Sequence, residues 1–335
     1  MLTTKALVLN EEGENRLRIE ERPVPELGDD MVLIKMNASA LNHRDQWIRV
    51  GKYAKIKTPC VLGSDGCGVV KKVSDYALTH LEGKEVIINP NINWGSSNLA
   101  QGPNYGILGM PTDGTFSEYM VVPTDRIHPK PKHLTSEEAA ALPLAGLTAY
   151  RALFTQGNVK KNSKVLISGA GGGVAQFALL FAVAIGADVW VTSSKEENIE
   201  KALKFGAKGG VNYRSEGWAK ELSQMSGGID LIIDGAGGKS WNEFFKVINF
   251  GGRIVQYGAT AGRPEGINIQ ALFWKQVSIQ GSTMGSDDDF EQMVDLVAKL
   301  KIKPTVDSVR PFDEIISGFD DMASGVQAGK IVFQF

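Results

Sequence analysis

Lys164-Val165-Leu166-Ile167-Ser168 reads as a short apolar strand, and Gly169-Ala170-Gly171-Gly172-Gly173-Val174-Ala175 leads from it into an apolar helix running to Ile185. Strand, glycine turn and helix N-terminus in that order can hold a pyrophosphate. Glycines let backbone N–H groups approach phosphate oxygens, and the first helical turn presents unpaired donors and the positive end of the helix dipole. Gly171, Gly172, Gly173 and Val174 are the candidate cofactor-binding residues here, and a dinucleotide is the leading ligand class. A plain tight strand-to-helix connection is the alternative.

In such a fold an acidic residue roughly 20 positions after the turn bonds the 2′-hydroxyl of NAD. Val189-Trp190-Val191-Thr192 instead runs into Ser193-Ser194-Lys195, which carries no acid. Two hydroxyls, a helix start and a cation suit the 2′-phosphate of NADP, so NADPH is the expected cofactor, with Tyr213 adding a hydroxyl or ring face. Ser194 with Glu197 also satisfies a capping box for a helix over 195–205. The fourth strand ends in Ile233-Asp234-Gly235-Ala236 and the fifth in Gln256-Tyr257-Gly258-Ala259. Small residues beyond the carboxyl ends of strands admit the nicotinamide half, which makes Tyr257 and Gly258 further candidate contacts.

The elements that position these residues fall into two groups. Up to about Val122 short alternating segments such as 31–36 and 85–88 are separated by Gly, Pro, Asn and Asp, the pattern of an antiparallel β domain. Prolines 123, 129 and 131 mark a boundary, and Thr135-Ser136-Glu137-Glu138 supplies a capping box before a helical run toward Phe154. Beyond Lys164, strands at 164–168, 188–192, about 210–212, 230–234, 253–258 and 277–280 alternate with helices, which implies a doubly wound parallel sheet. Ser286-Asp287-Asp288-Asp289 opens a helix to about Lys301, and 330–333 is a final strand. The fold class is α/β.

With 335 residues, 43% apolar and 22% charged, the chain reads as an ordinary soluble protein of two domains. Its 36 basic and 38 acidic residues leave a net charge of -2, so neither nucleic acid nor an anionic membrane is expected as partner. No run approaches the roughly 18 apolar residues that span a bilayer, and the first residues show no signal-peptide profile, so a cytoplasmic protein is expected. Two cysteines, Cys60 and Cys67, are too few for a disulfide framework, and the four histidines lack ligand spacing.

Taken together the residues resemble the medium-chain dehydrogenase/reductase superfamily, and more narrowly its zinc-free quinone oxidoreductase-like branch. The resemblance runs through 41–45 (LNHRD), 49–53 (RVGKY), 62–70 (LGSDGCGVV), 114–119 (GTFSEY), 147–150 (LTAY), the glycine turn and 281–285 (GSTMG). It implies a GroES-like domain formed by 1–130 and 286–335 around a Rossmann NADP-binding domain at 131–285. It also adds Thr148, Ser282 and Met284 to the cofactor contacts and implies a homodimer, with Phe273 and Trp274 near the subunit contact. Zinc-dependent members carry a cysteine where this chain has Asn42, a His-Glu pair at Ser64-Asp65, and a further cysteine or aspartate near Leu144. Only Asp65 survives as a plausible ligand, so no catalytic metal is expected; the stretch 91–110, where relatives bind structural zinc, has no cysteine.

Without zinc, reduction of an isolated carbonyl leaves charge concentrated on one oxygen, whereas hydride addition to an enone or a quinone spreads it. The expected reaction is hydride transfer from NADPH to a quinone or α,β-unsaturated carbonyl. Asn42 is expected beside the nicotinamide with Asp45 organising its turn, and Tyr53 is the candidate proton donor by analogy with relatives. Trp47, Trp94 and Tyr105 are candidates for an aromatic pocket for flat substrates, or core residues. A zinc-free alcohol dehydrogenase and a non-enzymatic NADPH-binding sensor are the competing readings.

Overall fold

The computed structural model describes residues 2–11 and 16–335. The chain divides into two compact units, Met1–Ala145 with Ser286–Phe335, and Gly146–Gly285.

The first unit is built on the strand Met31–Ala40, whose alternating Val32, Ile34, Met36 and Ala38 are buried. It pairs antiparallel with Asp65–Val73, Tyr119–Pro123 and the final strand Lys330–Gln334. The register sets Ala40 opposite both Asp65 and Val332, and the Leu41 amide donates to the Ile331 carbonyl at 3.0 Å. Three chain segments far apart in sequence therefore reach one end of the central strand together. Beneath them, Phe116 meets Phe319 and Phe333 edge-on at 6.2 Å in a core with Leu7, Leu41, Ile48 and Leu62. The strand Val306–Pro311, which the sequence does not announce, runs parallel to the last strand.

The second unit is a six-stranded parallel sheet, in order Gly209–Asn212, Asp188–Ser193, Lys164–Ile167, Ile229–Asp234, Ile248–Gln256 and Ser278–Gly281. Sequence rank 3-2-1-4-5-6 is the doubly wound order, with its switch point beside Lys164–Ile167. Val165, Leu166 and Ile167 have no exposed surface, as expected of a strand covered on both faces.

All six expected strands are present, with ends shifted by a few residues; the fifth begins earlier and ends at Gln256. The helical run toward Phe154 is interrupted, giving Ser136–Ala140, Pro143–Tyr150 and a π-helical turn Arg151–Gln156. Thr135 forms the expected box: its hydroxyl accepts from the Glu138 amide at 3.2 Å and its own amide donates to Glu138 at 3.0 Å. Residues 131–145 group with the first unit, not the second as the proline-rich boundary suggests. The reason is local: Gln334 hydrogen-bonds Glu137, and the Leu144 amide donates to Asp65 at 2.7 Å.

Candidate active site

Asn42 follows the central strand of the first unit and caps the helix His43–Arg49. Its backbone N–H donates to Asp45 Oδ2 at 2.8 Å, so Asp45 does organise the turn on which Asn42 stands. The Asn42 side chain faces elsewhere. Nδ2 donates to Asp65 Oδ2 at 2.9 Å, and Oδ1 accepts from Lys330 Nζ at 2.6 Å. Lys330 also donates to Asp65 Oδ2 at 2.8 Å, while Asp65 Oδ1 accepts the Leu144 amide. All three side chains are buried: Asn42 is 5% exposed, Asp65 0% and Lys330 3%.

Beside this triad the Arg44 guanidinium donates to Ser64 Oγ at 2.6 Å and to the carbonyls of Leu108 at 2.9 Å and Met110 at 3.3 Å. It also lies over the Tyr53 ring, 5.0 Å from the centroid, with Nε 3.4 Å from the phenolic oxygen. The half-buried Tyr53 is thus oriented by a fixed cation.

Asp45 Oδ1 is buried with no hydrogen-bond partner. Burial pushes the Asp45 carboxyl up to about 6, against the opposing pull of Arg44 and the Asn42 amide. Its folded-state value lies above the unfolded one, near 3.9, so the folded protein holds the extra proton between about pH 4 and 6. The contribution of Asp45 to stability falls as pH rises through that window and is constant above it. Asp45→Asn should therefore gain on the wild type from pH 4 to 6, by up to about 3 kcal/mol, with the difference level at higher pH. Urea melts across this range check it, and a pH-independent difference would count against the assignment.

The aromatic candidates separate. Trp94 is buried, donates from its indole to the Ser97 carbonyl at 2.9 Å and meets Tyr105 edge-on at 5.2 Å. The Tyr105 hydroxyl donates to Asn91 Oδ1 at 2.7 Å, and burial raises its phenol above the usual range. The polar atoms of both residues thus hydrogen-bond within 91–105. Trp47 lies on the helix His43–Arg49, tilted against His43.

In the second unit, Gly169 at φ +67 turns the chain out of the first strand, and the helix Gly173–Ala184 begins after Gly172 without a side-chain cap. A Cβ at Gly171 would stand 2.6 Å from Asn198 Nδ2, so a larger residue there would require the Asn198 amide to shift. Uncapped N–H groups at the head of a 12-residue helix fit the pyrophosphate of a dinucleotide. Ser168 Oγ donates to Asp234, whose carboxylate also accepts the Gly237 amide at 2.8 Å, tying the ends of the first and fourth strands together.

At the end of the second strand, Ser193 Oγ accepts the Lys195 amide at 3.1 Å and Asn198 Nδ2 at 3.4 Å. The expected box between Ser194 and Glu197 does not form. The helix is Glu196–Lys204 with Lys195 as its N-cap and no side-chain cap, one residue later than the box requires, so Ser194 and Glu197 fall out of the N-cap and N3 positions. Ser194 instead offers its carbonyl to Asn212 at 3.4 Å. Tyr213 joins the group through its amide, which donates to the Ser193 carbonyl at 3.2 Å, and its side chain is exposed. Glu196, the nearest acid in sequence, accepts from Asn212 Nδ2 at 2.9 Å.

Thr148 is buried with its hydroxyl 3.8 Å from the Met284 sulfur, and Ser282 Oγ is buried without a partner. The Tyr257 ring covers Gly235, where a Cβ would meet it at 2.4 Å, and burial raises the phenol. A Cβ at Gly258 would stand 2.8 Å from the Gly235 carbonyl oxygen. Sequence reasoning missed Lys330 and Asn198. Lys330 opens a strand, where lysine is ordinarily solvated, and only the pairing of strands shows that it is enclosed.

Residues 28–132 match the alcohol dehydrogenase GroES-like domain, and 173–299 match the zinc-binding dehydrogenase family. The zinc-type alcohol dehydrogenase-like protein YogA of Leptosphaeria maculans is 37% identical over 95% of this chain and 94% of its own. The quinone oxidoreductase of Mus musculus is 27% identical over 92% of this chain and 90% of its own. A crystal structure of an NAD-dependent alcohol dehydrogenase superposes with a TM-score of 0.92 at 35% identity, covering 99% of both chains. The chain belongs to the medium-chain dehydrogenase/reductase superfamily and is an oxidoreductase of that type.

The residues at the family's catalytic zinc position do not fit a zinc ion. A catalytic zinc takes about three Cys, His or carboxylate ligands. Here Asn42 is an amide, Ser64 Oγ is engaged by Arg44 and the Leu108 carbonyl, and both Asp65 oxygens already accept hydrogen bonds. Among the described residues, no three His, Cys, Asp or Glu side chains are grouped to hold a metal.

Proposed function

We propose that the protein transfers hydride from NADPH to a quinone or an α,β-unsaturated carbonyl without a catalytic metal. The observation that carries this reading is the buried Asn42–Asp65–Lys330 triad, which fills with an amide, a carboxylate and an ammonium the place where a Lewis acid would need ligands. NADPH, when bound, supplies the hydride, which forms a C–H bond at the β-carbon of an enone and leaves the electron pair delocalised onto the carbonyl oxygen. Hydrogen bonds suffice for so dispersed a charge. Asn42 offers its amide to the developing enolate, and Tyr53, its oxygen held by Arg44, stands as proton donor to the α-carbon, with water as the other source.

Ser193, Lys195 and Tyr213, gathered at the ends of adjacent strands, support NADPH over NADH, as does the absence of an acid where the second strand ends. In this reading Gly171, Gly172, Gly173, Ser193 and Lys195 hold the cofactor, and Asn42, Asp45 and Tyr53 do the chemistry. Likeness to the mouse quinone oxidoreductase, at 27% identity, supports the quinone reading, whereas likeness to the NAD-dependent alcohol dehydrogenase supports the competing alcohol dehydrogenase reading and the other cofactor. A second copy of the chain would dock at the edge strand Ser278–Gly281 and the preceding helix Ile269–Trp274, on which Phe273 and Trp274 are 64% and 71% exposed, and light scattering at the monomer mass would remove that expectation.

The test is oxidation of NADPH by purified protein against quinones, enones and simple aldehydes, with NADH in parallel and zinc measured in the same samples. Turnover of enones or quinones at negligible zinc is expected. Aldehyde-only activity would replace this reading with an alcohol dehydrogenase, one firmly bound zinc would overturn the metal-free mechanism, and silence throughout would favour a binding role.

A further inference from the structure

We propose that Lys330 is a positioning residue that fixes and polarises the Asn42 amide, so that one Asn42 N–H serves as the donor to the substrate oxygen. The proposal rests on the hydride-transfer reading above and assigns its electrostatics to a residue at the opposite end of the chain.

A primary amide offers one oxygen and two N–H hydrogens. Asn42 Oδ1 lies 2.6 Å from the Lys330 ammonium and Nδ2 lies 2.9 Å from the Asp65 carboxylate. An ammonium has only donors and a carboxylate only acceptors, so the amide has a single orientation: turned over, N–H would face ammonium and oxygen would face carboxylate. One Nδ2 hydrogen is spent on Asp65, and the second remains. The cation on Oδ1 draws electron density from the amide and makes that remaining N–H a stronger donor. Asp65 supplies the rotational lock, itself anchored by Lys330 and by the Leu144 amide.

The register puts this arrangement in place without a mobile part. Lys330 begins the last strand, which pairs with the central strand immediately before Asn42, and Asp65 begins the strand on the other side. With its Nζ bonded to both neighbours and its side chain enclosed, Lys330 is held at a fixed distance from the amide oxygen.

The experiment compares Asn42→Ala, Lys330→Met, Lys330→Arg and the charge-neutral pair Asp65→Asn with Lys330→Met, measuring kcat and the KM for NADPH. Losing an oxyanion donor costs about 100- to 1,000-fold in rate, so Asn42→Ala should fall in that range. Lys330→Met should lose about tenfold in kcat with the NADPH KM nearly unchanged, because the donor is weakened and not removed. The neutral pair should stay as slow as Lys330→Met, and Lys330→Arg should recover part of the rate. NMR gives an independent reading: the two Asn42 side-chain N–H signals, identified by their loss in Asn42→Asp, should exchange slowly in the wild type and quickly in Lys330→Met.

Wild-type kcat in the neutral pair would overturn the proposal, since Lys330 would then only balance the charge of Asp65. Unchanged kcat in Lys330→Met alongside a slow Asn42→Ala would overturn it while leaving the hydride-transfer reading intact. Unchanged turnover in Asn42→Ala would defeat the role of Asn42 in both.

Discussion

Replacing Lys330 by Met should lower the unfolding free energy by about 3 to 5 kcal/mol. The side chains of Lys330 and Asp65 are 4% and 0% exposed, so neither charge regains water when the other is removed. Asp65 would keep the Asn42 and Leu144 donors, which hold the loss at the stated range instead of the tens of kcal/mol of an isolated buried ion. Adding Asp65→Asn removes the stranded charge, so the double variant should be more stable than Lys330→Met alone, although two substitutions ordinarily add their costs. Surface pairs set the contrast: Lys239 with Glu265, at 86% and 70% exposure, should contribute about 0 to 1 kcal/mol. Urea denaturation read as a shift in midpoint at constant m-value decides the matter, and a loss under about 1 kcal/mol in Lys330→Met would mean that water reaches Asp65.

Lys195→Glu should weaken NADPH by about 100-fold while changing NADH far less, since a charge-assisted hydrogen bond to phosphate contributes roughly 1.5 to 3 kcal/mol and the substitution also adds repulsion. The expectation depends on where the side chain starts. Lys195 is the N-cap of Glu196–Lys204, and its amide is held by Ser193 Oγ at 3.1 Å, which keeps its backbone fixed at the end of the second strand. The exchange is made on an exposed residue outside the helix, so the fold should tolerate it. Binding constants for both cofactors, taken at one ionic strength because the interaction is screened by salt, provide the comparison. Equal losses for the two would remove the phosphate-recognition account and leave Lys195 with a general electrostatic role.

The two kinds of element were unequally legible. Parallel strands buried on both faces must be apolar runs between helices, and glycine is favoured where the backbone turns at φ +67, so the sheet and its turn appear in local composition. The Thr135 and Ser286 caps are equally local: each needs only a hydroxyl and an acid three residues on. The helix after the second strand misled because Ser194 and Glu197 match a capping box in local sequence, whereas the helix starts one residue later with Lys195 as its N-cap. The end of the first unit misled for a related reason, since prolines punctuate the chain but it is contact with Asp65 and Gln334 that assigns 131–145 to its side.

The sequence by itself determined the α/β class, the order of the parallel strands along the chain and the glycine turn, because each follows from residue types over short spans. Only the tertiary structure decided that Lys330 is the partner of Asn42 and Asp65. Those contacts cross 288 and 265 residues and exist because two strand registers meet at Ala40; burial and a fixed cation are properties of that meeting, and no window of sequence contains them.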